Sequence, residues 1–136
     1  MKIKLPGIEE QQRIILEESS KEAIEILTEN LKAESFPGQT EIDESQYSRK
    51  HLLREREGWE KPHPDIVRAY FEHFKTLFPE YNSDKKIANL LGLSSDRRIR
   101  EYKNGDRNIP YGIWRNFLVL IGKAPQDVMT IMGIIK

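Results

Sequence analysis

The chain has no cysteine among its 136 residues, which excludes disulfide frameworks, thiolate metal sites and thiol nucleophiles. It has no apolar run near the ~18 residues that a bilayer-spanning helix needs. The first residues, Met1-Lys2-Ile3-Lys4-Leu5-Pro6, lack a signal-peptide core, so a soluble cytoplasmic protein is expected. His51, His63 and His73 are scattered, without the second histidine or carboxylate that metal-ligand spacing requires. No nucleophile–base pair, catalytic carboxylate pair or phosphate loop is visible. Neither an enzyme nor a cofactor is therefore expected.

Net charge is missing too. The 22 Lys and Arg residues balance 22 Asp and Glu, and that balance alone argues against a nucleic-acid binder. The balance hides an asymmetry. Met1 to Glu60 carries nine basic and fourteen acidic residues, a net of −5, whereas Lys61 to Lys136 carries thirteen and eight, a net of +5. Such a split suggests that one half meets a polyanion while the other has a different task. With 38% hydrophobic and 32% charged residues, part of the chain is expected to lie outside the core.

Gly7 to Lys32 reads as one amphipathic helix, with Ile8, Ile15, Leu16, Ala23, Ile24, Leu27 and Leu31 at three-, four- and seven-residue steps. Its outward face is mostly glutamate, and Pro6 sits near the expected start. This acidic helix, residues 1–34, is either a solvated face or a dimerisation element working through Ile15, Ile24, Leu27 and Leu31. Ser35 to Thr40 breaks the pattern with Pro37 and Gly38. Residues 35–62 read as a linker, with room for a short basic helix between Ser45 and Glu57.

Sharper signals begin at Pro64. Pro64 and Asp65 suit the first turn of a helix that carries Ile66, Ala69, Tyr70, Phe74, Leu77 and Phe78 inward, and Pro79 ends it. Ser83 caps a second helix with Ile87, Ala88 and Leu91 inward, closed by Gly92. Ser94 or Ser95 caps a third that runs to about Asn104 and stops at Gly105. Pro110 starts a fourth, with Ile113, Trp114, Phe117, Leu118 and Ile121 inward. Pro125 starts a fifth with Val128, Met129, Ile131 and Met132, a segment read as part core and part interface. No strand is convincing, so residues 63–136 read as an all-α, five-helix domain.

The second and third helices meet at Gly92-Leu93-Ser94 in the pattern of a helix-turn-helix. Ala88 is small enough for a close crossing, and Leu93 and Ile99 point inward. Ile99 and Tyr102 define the buried face of the third helix, while Arg97, Arg100, Glu101 and Asn104 project away from it. Arginine reads guanine O6 and N7 with a two-pronged contact, so Arg97 and Arg100 stand where base readers belong. Ser95, Asp96 and Arg98 lie in the first turn, the end that approaches base edges. Lys85, Lys86, Lys103 and Arg107 suit phosphate clamping, and Tyr111 could stack on the nucleic-acid backbone. Trp114 fits the core stripe beside Phe117.

The run Ser83-Asp84-Lys85-Lys86-Ile87-Ala88-Asn89-Leu90-Leu91-Gly92-Leu93-Ser94, with Ile99 to Gly105 and Asp106 to Pro110, resembles phage-repressor-like (Xre or lambda-repressor-type) DNA-binding domains. The resemblance covers about Asp65 to Met132 and implies a five-helix domain that binds operator DNA, usually as a dimer on a palindrome. Asp84 stands where the family often has glutamine, and one extra residue separates Gly92 from Ile99. An aspartate repels phosphate, so Asp84 is read as favouring the helix dipole. The resemblance implies a non-enzymatic, sequence-specific repressor, such as a mobile element carries, with the Ser95–Asn104 helix in the major groove. The alternative is an antitoxin- or inhibitor-like adaptor whose acidic N-terminal helix holds a protein partner, with DNA binding secondary.

Overall fold

Good helix formers from Ile8 onward, with Glu9 and Glu10 at the positive end of the helix dipole, give helix α1, Ile8–Asn30. Gly7 precedes it in an extended conformation. The computed structural model describes residues 4, 5 and 7–136, so Pro6, expected at the helix start, lies outside the described residues. The chain divides into two units, one of Met1–Phe36 with Met129–Lys136 and one of Pro37–Val128.

In the first unit α1 buries none of its residues. Residues 129–136 are not helical. Lys136 pairs with Glu9 at 3.4 Å, and Ile131 and Ile134 line a groove with Gln12, Arg13, Ile15, Leu16 and Ser19. The helix expected from Pro125 does not form. β-Branched Val128, Thr130, Ile131, Ile134 and Ile135, with Gly133 among them, have poor helix propensity. Arg115 also donates to the Pro125 carbonyl at 3.1 Å, taking the acceptor that a first helical turn would use.

The second unit holds four helices: α2, Pro64–Leu77; α3, Asp84–Leu90; α4, Arg97–Asn104; and α5, Tyr111–Leu120. Pro64 opens α2 with its fixed φ, and His63 accepts the Asp65 amide proton at its ring nitrogen, 3.0 Å away. The core joins Ile66, Val67, Tyr70, Phe71 and Phe74 of α2 to Ile87 and Ala88 of α3, Ile99 and Tyr102 of α4, and Trp114, Phe117 and Leu118 of α5. Each fully buried apolar side chain there contributes about 1.5–3 kcal/mol. All regular structure among the described residues is helical, as the sequence implies.

Residues 37–62 are not a spacer. They form three short 3-10 turns, Glu44–Gln46, Lys50–Leu52 and Glu55–Glu57, and press Ile42, Tyr47, Leu52 and Trp59 onto the core. Glu44 accepts a hydrogen bond from Tyr70, and Tyr47 donates to Asp65 at 2.7 Å. His51 is 3% exposed and accepts the indole proton of Trp114 at Nδ1, 3.2 Å away, while Trp59 donates to the His51 carbonyl. Irregularly spaced apolar residues suit no amphipathic helix, but they can cover a helical core with buried polar groups satisfied. The domain boundary expected near residue 62 therefore moves to Pro37, and the 35–62 linker with a basic helix is replaced by packed turns.

Candidate nucleic-acid interface

Ser83 accepts the Lys86 amide proton at 3.2 Å and caps α3, whose first turn exposes Lys85 and Lys86. Lys86 reaches back to Asn82 at 3.1 Å. At the other end Gly92 adopts φ +75°, and the Leu93 amide returns to the Ala88 carbonyl at 2.8 Å. That turn runs to Asp96, so α4 begins at Arg97 rather than at Ser95, and neither Ser94 nor Ser95 is its cap. Asp96 precedes the helix without capping it, because its carboxylate is held by Arg100 at 2.8 Å. Ser95 and Asp96 thus sit before the helix.

Helix α4 packs on α2 and α3 through Ile99, which is fully buried, and Tyr102. Arg97, Arg100 and Asn104 face solvent, and Arg98 is half-buried. Glu101 gathers two of the cations, holding Arg97 at 3.0 Å and Arg107 at 2.9 Å. The Arg107 hydrogen bond, then the charges of Arg97 and Arg98, keep the Glu101 carboxyl below its ordinary pKa. Gly105 ends the helix at φ +82°, and Asp106 returns its amide to the Glu101 carbonyl at 3.0 Å.

Lys103 has a different task from the phosphate clamping expected of it. Its side chain is only 13% exposed, and the ammonium is bound by Glu72 at 2.8 Å and Asp84 at 2.9 Å. Lys75 meets the same two carboxylates, so the four charges stitch α2, α3 and α4 together. Burial pushes the Asp84 carboxyl up, but hydrogen bonds from Lys75 and Lys103 outweigh it and hold the pKa below the usual value. Asp84 lies in the first turn of α3, as a dipole residue would, and in addition anchors α4.

Tyr111 is half-buried, its ring 5.3 Å from that of Trp59 in an edge-on contact, which leaves only part of it for stacking. Trp114 is fully buried, in the core as expected. Ile15 and Ile24 on α1 and Leu31 just past its end are exposed, in the other unit, and Leu27 is half-buried. A cleft of about 450 Å³ beside the end of α4 is lined by Tyr47, Lys61, His63, Tyr102, Arg107 and Asn108, with Lys61 donating to Asn108 at 3.0 Å. Sequence reasoning missed this wall, because Lys61 was counted with the linker. The aromatic residues Tyr47 and Trp59 were the available signal that the segment packs. Among the described residues no three His, Asp or Glu side chains are grouped to hold a metal.

Compared with known proteins, the chain matches no family model, no curated protein and no solved structure. No helix among the described residues is long and apolar enough to cross a membrane.

Proposed function

We propose that the chain is a sequence-specific DNA-binding regulator that lays α4 in the major groove and performs no chemistry of its own. The observation that carries this reading is the division of α4: Ile99 and Tyr102 are locked into the core, while Arg97, Arg100 and Asn104 stand outward on a short helix braced by α2 and α3. A rigid helix with forked donors on its free face suits base-edge recognition. Arg98, Ser95 and Asp96 flank that face at its N-terminal end. Lys85, Lys86 and Arg107 supply sequence-independent attraction to phosphates, and Lys103 acts indirectly by fixing α4. Bound over a promoter, such a protein represses by occupancy.

The test is selection of bound duplexes from a random pool, followed by footprinting of the selected site. A defined site that is lost on Arg97→Ala/Arg100→Ala substitution, with the fold intact by circular dichroism, supports the reading. A normal footprint from that variant would remove α4 from the recognition role. Selected sites with two half-sites one helical turn apart would show that two copies bind together.

A further inference from the structure

Thirteen of the fifteen exposed large apolar side chains among the described residues belong to the unit of Met1–Phe36 and Met129–Lys136. On α1 these include Ile15 at 67%, Ile24 at 63% and Ile26 at 50% exposure, and Leu31, just past its end, is 86% exposed. At ~100° per residue they spread with Ala23 and Leu27 over about half the circumference of the helix. The C-terminal tail lines a groove with residues between Gln12 and Ser19, and Lys136 pairs with Glu9. From Ala23 to Leu31 the stripe stays exposed apart from half-buried Leu27, yet a lone helix in water is only marginally stable without a packed face.

The flanks of the stripe are acidic. By helical spacing Glu22 and Glu29 border its Ile15–Ile26 margin, and Glu10 and Glu17 border its Ile24 margin only within the stretch that the tail contacts. Ile8–Asn30 holds seven glutamates against Arg13 and Lys21. Lys21 serves Glu17 and Glu18, and Lys32 serves Glu29, whereas Glu10, Glu22 and Glu25 make no ion pair among the described residues.

These charges decide among occupants. A second α1 would bring glutamate flanks against glutamate flanks, and like-charge pairs along a helical seam are destabilising. A lipid surface attracts helices with Lys and Arg on the polar face, the reverse of this one. We propose that the α1 stripe is a docking surface for a basic amphipathic helix of a different protein, with apolar residues at helical spacing between flanking lysines or arginines. The partner helix covers Ile24, Ile26 and Leu31, and its cations meet Glu22 and Glu29. This inference does not depend on DNA binding by the other unit.

The experiment titrates the full chain against three labelled peptides of ~21 residues, the length of a docked helix. One has leucine at seam positions and lysine on both flanks, the second replaces lysine by glutamate, and the third scrambles the first. The lysine peptide should bind one to one and weaken as salt rises, with no binding by the others. Glu22→Lys/Glu29→Lys, a surface change that leaves the stripe intact, should weaken it at least about tenfold through lost flank pairing. Ile24→Asp/Leu31→Asp should abolish it. Equal binding by the scrambled peptide, or full binding by either variant, overturns the proposal. So does sedimentation of the chain as a dimer that Ile24→Asp/Leu31→Asp converts to monomer, since a second copy would then occupy the stripe. Preferential binding of phosphatidylserine vesicles overturns it equally.

Discussion

Replacing Gly105 by alanine separates two costs that the structure keeps apart at Gly92. Both glycines end short helices in the left-handed region, at φ +82° and φ +75°. An alanine Cβ at position 92 meets no atom within 4 Å, whereas at position 105 it falls 2.9 Å from Cγ of Pro64. The left-handed conformation costs an L-residue about 1–2 kcal/mol. Loss of glycine's freedom in the unfolded chain returns about 0.4–1 kcal/mol. Gly92→Ala should therefore destabilise by at most about 1.6 kcal/mol, by this difference. Gly105→Ala adds displacement of Pro64, a ring held at the first turn of α2, at about 1–2 kcal/mol more, as overpacking costs. Urea unfolding of both variants, with unchanged slope, reads the two values. The double variant Gly105→Ala/Pro64→Ala should recover most of the excess. Equal costs at the two positions, or no coupling to Pro64, would refute the close approach of α2 to the end of α4.

Three further outcomes follow from the packed charges and the exposed lysines. Asp84→Asn leaves Lys75 and Lys103 sharing Glu72 and should lower stability at pH 7 by roughly 1–3 kcal/mol. Because the Asp84 pKa is depressed in the fold, that contribution is present above the ordinary carboxylate range and lost as pH falls through the lowered value, so the variant's deficit should shrink in acid. Burial lowers His51 to about 4, so the fold holds it neutral and the unfolded chain takes up the proton first. Stability should fall by as much as roughly 3 kcal/mol as pH drops from about 6.5 to about 4, and His51→Gln should flatten that slope in urea titrations. Lys85→Ala should weaken binding to every duplex alike and reduce the salt slope by about one, whereas a sequence-selective loss would make Lys85 a reader.

Helices α2, α3 and α5 were legible because periodicity and punctuation agree there. Pro64, Ser83 and Gly92 sit at the ends that their chemistry favours, and the inward residues recur at helical steps. The start of α4 was not, since two serines before an arginine-rich run look like caps until Asp96 is seen bound to Arg100. Residues 37–62 escaped because Ile42, Tyr47, Leu52 and Trp59 follow no period; their partners are core residues far along the chain. Lys103 escaped for a related reason. A sequence counts charges, but the carboxylates that bind Lys103 lie 31 and 19 residues away. In the candidate interface the outward residues of α4 could be read from the wheel, whereas the pairing of its arginines with Glu101 and Asp96 could not.

That pairing changes what the charge balance means. Cut at Glu60, the C-terminal part carries +5, but the folded unit Pro37–Val128 holds sixteen basic and fourteen acidic residues, only +2. Attraction to a polyanion then has to be local, from Lys85, Lys86, Arg97, Arg98, Arg100 and Arg107 against Asp96, Glu101 and Asp106. Glu101 is the critical opponent, because one carboxylate holds Arg97 and Arg107 together and repels phosphate itself. Glu101→Gln should strengthen binding to unrelated duplexes several-fold, since surface pairs are worth only about 0–1 kcal/mol and their loss frees two cations. The same change lets Arg97 swing on its long stem, so affinity for the selected site should rise less and the specificity ratio should fall. Binding of both duplexes at two salt concentrations measures this. If the variant binds both more weakly, Glu101 orients the arginines for phosphate rather than opposing it, and the local-excess argument fails.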